Sequence, residues 1–342
     1  MKKNPELLSF RYNKLFLFNR FKYKKIESKY KSLIMDSHSF CPICFYKEAS
    51  LISEVDRDGY PCEIVVCMKC NFVFNNSFMV NPIDYYANQY GKDSWGEPEK
   101  SFIKRISSDS PSLKRFEFIK KQLGVNFPYI SRILEIGCGD GCNLLPYHLI
   151  GKNVLGCDFN DNFLVPGRMR GMKLIKANIT EIDEYPKFDL IMLIHTFSHV
   201  ISMDEMVKQV YSRLNPGGLV FIEAPGIINW NRTKKAKKSS TWLRSSNNFM
   251  GFLQFNINYY FDLEHLKYIW ERNNFEMVVG DEWVRAIFKR KDERNSNDLD
   301  LKPKLNEFNY KIIKHLKDVE RDFLSLPNLI RGFMKLIYRK FF

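Results

Sequence analysis

The segment Ile133–Asn143, ILEIGCGDGCN, constrains this chain more than any other stretch. An apolar strand, Ile133–Ile136, stops at Gly137, and a glycine-rich turn leads into a helix. Glycines let the backbone approach a ligand closely, and the N–H groups at the helix start are unpaired. Nineteen positions after Gly139, Asp158 closes the next strand, where a carboxylate can accept both ribose hydroxyls of a bound nucleoside.

Strands and helices alternate over residues 126–290, the pattern of a parallel sheet. Strands are expected at Asn153–Cys157, Lys173–Ala177, Phe188–Ile194 and Leu219–Ala224. Phe188–Ile194 is almost wholly apolar, as a strand covered on both faces should be. Helices are expected at Asp204–Leu214 and Leu263–Arg272, and Phe275–Val279 with Val284–Phe288 suits a terminal antiparallel pair.

The remaining segments differ in character. Residues 1–36 form a basic, aromatic-rich arm, 37–80 hold two cysteine pairs, and 81–125 read as a helical, tyrosine-bearing connector or lid. Residues 291–342 open as a polar linker and end in helical pattern. There, Ile330, Met334, Ile337 and Phe341 share one helix face, with Arg331, Lys335 and Arg339 beside it. Such a helix suits an anionic membrane surface.

The formal charge is +14 and uneven: residues 1–31 carry ten Lys/Arg, and no acid lies between Glu223 and Asp262. Basic blocks of this kind meet anionic partners or form a solvated surface. No apolar run reaches the roughly 18–20 residues of a membrane helix. No secretory signal is read, so the expected location is cytoplasmic, with peripheral membrane association open.

Cys41-Pro-Ile-Cys44 and Cys67-Met-Lys-Cys70 are separated by 22 residues. Two C-x-x-C pairs in a reducing compartment favour a metal over disulfides, and an S4 set favours structural Zn²⁺. Asn71 can adopt the left-handed conformation that follows such a knuckle, while Cys62 suits the core.

A dinucleotide fingerprint starting at Gly137 needs a glycine at 142, where Cys142 stands. The pattern is instead E-x-G-x-G, which resembles motif I of the class I S-adenosylmethionine-dependent methyltransferases. FDLIMLIHTFSHV (Phe188–Val200) and LNPGGLVFIEAP (Leu214–Pro225) are similar to that family's fourth strand and its approach to the fifth. SFCPIC, DRDGYPCEIVVCMKCNFVF and DYYANQY further resemble a bacterial group with an N-terminal zinc module, acting largely on nucleotide-linked sugars and surface-polysaccharide intermediates.

The resemblance implies a Rossmann-like α/β sheet with a zinc ribbon before it and basic helical termini. It implies S-adenosyl-L-methionine at Glu135, Gly137, Gly139, Asp158 and Asn178, and zinc at Cys41, Cys44, Cys67 and Cys70. His199 and His195 follow the fourth strand at the ligand edge, and Tyr86 lies in the tyrosine segment, so these three are the candidate catalytic residues. The expected acceptor is a sugar nucleotide or glycan intermediate. An RNA methyltransferase gripping phosphate and a non-catalytic adaptor are the alternatives, and the intact E-x-G-x-G with Asp158 argues against the second. No G-x-S-x-G elbow is present to support a serine nucleophile.

Overall fold

A computed structural model describes residues 2–4, 33, 35–56, 60–90, 97–228, 252–292, 312–318 and 321. The basic block after Asn231, most of the N-terminal arm and the C-terminal amphipathic pattern lie outside these residues. Among the described residues, no helix is long and apolar enough to cross a membrane. The chain divides into two units: 1–80 with 225–265 and 302–342, and 81–224 with 266–301.

The first unit contains β1 (Lys2–Asn4), β2 (Met35–Ser37), β3 (Glu48–Val55), β4 (Pro61–Cys67), β5 (Val73–Asn75), β6 (Ser77–Met79) and β12 (Tyr259–Tyr260). Five of them form a sheet in the order β1-β3-β4-β5-β12, and β2 pairs with β6. The register sets Ala49 opposite Cys67 and Phe74 opposite Tyr259. Phe72 and Phe74 are fully buried, and Phe72 stacks on both Phe74 and Tyr259, so they are core.

The second unit is built on β7 (Arg132–Ile136), β8 (Asn153–Asp158), β9 (Lys173–Lys176), β10 (Phe188–Ile194), β11 (Leu214–Glu223), β13 (Phe275–Asp281) and β14 (Arg285–Arg290). The sheet order is β13-β14-β11-β10-β7-β8-β9. Pairs from β9 across to β11 are parallel, while β14 runs antiparallel to both β11 and β13. β8 follows β7 on one side and β10 flanks it on the other, so the order reverses beside β7. Open α/β sheets bind ligands outside the carboxyl ends at that point.

Helix Pro111–Leu123 shows why the flanking layer forms. Ser110 caps it by accepting from the Leu113 N–H at 3.3 Å, Pro111 fits the first turn, and Gly124 ends it at φ 50°. Phe116, Ile119 and Leu123 recur at three- and four-residue steps and are buried in one cluster with Tyr147, Leu190 and Met192. Each large apolar side chain so buried contributes about 1.5–3 kcal/mol.

The expected strand positions agree with the structure to within two residues, except at β11. The helix ends at Arg213 and the strand already begins at Leu214, so the turn-forming Asn215-Pro216-Gly217-Gly218 lies within the strand's span. The pairing with β10 shifts register between Phe188 and Leu190, which absorbs the extra residues of that turn.

Candidate active site and cysteine cluster

The glycine turn is held from two sides. Gly137 has φ 71°, and a Cβ there would stand 2.4 Å from the Thr196 hydroxyl, which donates to the Ile136 carbonyl at 3.0 Å. No side chain fits that position. Gly139 has φ 53°, but a Cβ there would meet nothing within 4 Å among the described residues. Its conformation favours glycine, and its surroundings leave room for a ligand.

Asp158 closes β8 beneath the turn. Its two carboxylate oxygens accept from the N–H groups of Gly139 and Asn160, each at 2.9 Å. Burial pushes this carboxyl up, against the pull of those N–H groups. Asn178 starts a short 3₁₀ turn just beyond β9, and its backbone N–H donates to Glu181 at 2.7 Å.

Glu135 is 1% exposed on β7. One oxygen accepts from the Asn143 amide at 2.7 Å, and the other has no hydrogen-bond partner among the described residues. Burial pushes this carboxyl up to about 8. A buried carboxylate with an unmet oxygen is a costly feature unless a cationic group arrives to complete it. The ammonium of a bound S-adenosylmethionine has the required charge and donors, the space over Gly139 admits a ligand, and Asp158 suits ribose. The residues present therefore fit this cofactor.

Two histidines follow β10. Nδ1 of His199 lies 3.0 Å from the Tyr86 hydroxyl, and the rings meet edge to face at 86°. Tyr85 and Tyr90 pack edgewise on Tyr86 from the wide helical turn Tyr85–Tyr90. His195 takes φ 53°, a left-handed conformation uncommon outside glycine, and its N–H donates to the Glu223 carbonyl at 2.7 Å. Its Nε2 lies 3.1 Å from Nη2 of Arg115. Arg115 also donates to Glu223 through Nε at 3.0 Å and Nη2 at 2.5 Å. Burial works against ionisation of Glu223, yet the Arg115 guanidinium bonded to it holds it below the usual carboxylate range. Nη1 of Arg115 donates to Asn143 at 3.3 Å, which extends the network to Glu135.

Sequence reasoning missed Arg115, Asn143 and Glu223. Arg115 and Glu223 are 108 positions apart. The only available signal was an acid at the end of an otherwise apolar strand, in FIEAP.

In the first unit, the four sulfurs of Cys41, Cys44, Cys67 and Cys70 all lie within 4.8 Å of one another. Cys41 and Cys70 are 3.7 Å apart, and Cys44 and Cys67 3.5 Å. Zn–S bonds of about 2.3 Å in a tetrahedron give an edge of about 3.8 Å, so the donor set fits zinc. The same knuckle is built twice. Phe45 donates to the Cys41 carbonyl at 3.0 Å and Asn71 to that of Cys67 at 2.9 Å, both with φ 60°. Cys62 is buried and outside the cluster. Beside the cluster, His265 is 2% exposed, pairs with Asp262 at 2.9 Å and lies 3.0 Å from the Cys70 carbonyl.

A family model described as a methyltransferase domain matches residues 100–279, more than half of the chain. The chain belongs to this methyltransferase family. A ubiquinone biosynthesis O-methyltransferase from Rickettsia prowazekii is 27% identical over 130 residues, covering 36% of this chain and 50% of the relative. A second, from Chelativorans sp., is 31% identical over 112 residues, covering 31% and 42%. A malonyl-[acyl-carrier protein] O-methyltransferase from Calditerrivibrio nitroreducens is 28% identical over 138 residues, covering 40% and 54%. The chain thus spans about half the length of the curated relatives it matches. Among solved structures, an S-adenosylmethionine-dependent methyltransferase from Clostridium acetobutylicum is similar, with a TM-score of 0.42 and 15% identity over 56% of this chain and 96% of that one.

Proposed function

We propose that the chain transfers a methyl group from S-adenosylmethionine to an oxygen of a small acceptor, a nucleotide-linked sugar or glycan intermediate. The observation that carries the methyl-transfer reading is the unmet buried oxygen of Glu135 beside the glycine turn. The O-methyltransferase names of its relatives support oxygen as the acceptor atom. The sugar acceptor is supported by the cysteine-pair and DYYANQY motifs alone.

When bound, S-adenosylmethionine supplies an electrophilic methyl on a sulfonium. Glu135 would hold its ammonium, Asp158 its ribose hydroxyls, and the backbone at Gly139 would lie alongside it. His199 accepts the proton of the acceptor hydroxyl at Nε2 while its Nδ1–H donates to the Tyr86 oxygen, which fixes the ring. Tyr86 acts through His199 and is a positioning residue. Four cysteines, Cys41, Cys44, Cys67 and Cys70, would hold one zinc ion, and with all four positions taken by sulfur it would have a structural role.

The test is turnover with S-adenosylmethionine against three pools: nucleotide sugars, ubiquinone precursors and RNA. Methylated nucleotide sugar is the expected product. Methylation of the ubiquinone precursors alone would move the acceptor to the chemistry of the ubiquinone relatives, and methylation of RNA alone would assign the basic blocks to phosphate.

A further inference from the structure

His195 and His199 sit four positions apart, yet their partners impose different chemistry. A guanidinium carries only donors and keeps its charge throughout the working pH range. The 3.1 Å contact between Arg115 Nη2 and His195 Nε2 therefore requires a lone pair on that nitrogen. Glu223 Oε1 stands 3.4 Å from the same nitrogen, beyond the usual N–H···O range. Arg115 from helix Pro111–Leu123 and Glu223 from β11 are the charged groups bonded or paired at this ring, and they neutralise each other. Arg285, opposite Glu223 in the sheet register, is paired with Asp281.

We propose, resting on the methyl-transfer reading above, that Arg115 is a positioning residue that fixes His195 as the neutral Nδ1–H tautomer. His195 then donates a hydrogen bond to an oxygen of the acceptor and is not the proton-accepting base. The half-exposed imidazole, held at φ 53° by its own N–H bond to the Glu223 carbonyl, is oriented for this by backbone and side chain together. The Arg115–Asn143–Glu135 bonds tie the same donor to the carboxylate that would hold the cofactor, so one network sets the relative position of both ligands.

Ring nitrogen shifts in ¹⁵N-histidine spectra of the full chain at neutral pH test this, with the His195 signals assigned by their loss in His195→Asn. The expected result is Nδ1 protonated and Nε2 bare. Finding Nε2 protonated in the unmodified protein overturns the proposal. Arg115→Gln should move the proton toward Nε2; if that variant does not fold, the unmodified protein has already decided the point. Kinetics give a second readout. Asn places an amide donor where Nδ1–H was and tolerates the left-handed backbone. His195→Asn should keep turnover within about tenfold, whereas His195→Ala should lose more, mainly in acceptor KM. Equal losses of about 10²–10⁴ in kcat for both would make His195 the base and overturn the proposal. Calorimetry with S-adenosylmethionine on the same samples keeps the two readings apart, because absent binding would refute the methyl-transfer site while leaving the tautomer measurement valid.

Discussion

The Tyr86 hydroxyl lies 3.0 Å from Nδ1 of His199, joining the tyrosine segment to the turn after β10 across 113 positions of sequence. A phenol can donate to or accept from that nitrogen; with Nδ1–H donating, the basic lone pair lies on Nε2. His199→Ala should therefore lower kcat by about 10²–10⁴-fold. Tyr86→Phe removes one hydrogen bond and should cost about tenfold. Cofactor affinity measured by calorimetry should change little in either, and a parallel loss of affinity would make the pair structural.

Cofactor binding should release a proton near neutral pH. Burial holds Glu135 up at about 8, so without a cationic partner it is mostly protonated at pH 7. An ammonium against its unmet oxygen favours the ionised form and drives the proton off. Calorimetry in buffers of different ionisation enthalpy should report this release for the unmodified protein and not for Glu135→Gln. The sign for stability follows from the same shift. Its folded pKa exceeds the ordinary value of 4.5, so this group's contribution falls as pH rises from about 4.5 to about 8.

Glu223 behaves in the opposite sense. Its carboxyl is held below the ordinary 4.5 by the Arg115 guanidinium, against the cost of burial. Its stabilisation is present above pH 4.5 and is lost as pH falls through the lowered folded value. Denaturant unfolding of Glu223→Gln should show lower stability at neutral pH and a flatter acid limb.

The glycine turn, the sheet and the four cysteines were legible because each is a local pattern: a strand ending at glycine, alternation of apolar runs, paired C-x-x-C. Tyr86, His195 and His199 were named from motif and position, but their partners were not. Arg115 reads in sequence as one basic residue on a charged helix, and its role appears only when β11 brings Glu223 to the same edge. Phe45 shows a second limit. Asn71 announced a left-handed residue after its knuckle, whereas a phenylalanine in the same conformation gives no such signal, because the fold imposes it.

Elemental analysis of protein purified without chelator should find one zinc per chain. Cys41→Ser or Cys70→Ser should lower that content, while Cys62→Ser, buried outside the cluster, should not. Because a structural zinc contributes to folding, a strong chelator should also lower the thermal midpoint. Protein that contains no metal and is indifferent to chelator would leave the cluster as four free thiols.

Gly137 and Gly139, two positions apart in one turn, should respond differently to the same substitution. Both have positive φ, so alanine strains the backbone by about 1 kcal/mol at either. At Gly137 the new methyl also meets the Thr196 hydroxyl at 2.4 Å, and that hydroxyl is tied to the Ile136 carbonyl. Gly137→Ala should therefore lower the thermal midpoint well beyond the backbone term. At Gly139 the methyl enters open space, so the fold should survive with a small shift. If that space receives the cofactor, Gly139→Ala should weaken S-adenosylmethionine binding by tenfold or more, since a methyl group cannot share it with a ligand lying against the backbone. Calorimetry and thermal unfolding of both variants separate the two effects. A Gly139→Ala protein that folds well and binds with unchanged affinity would place the cofactor elsewhere.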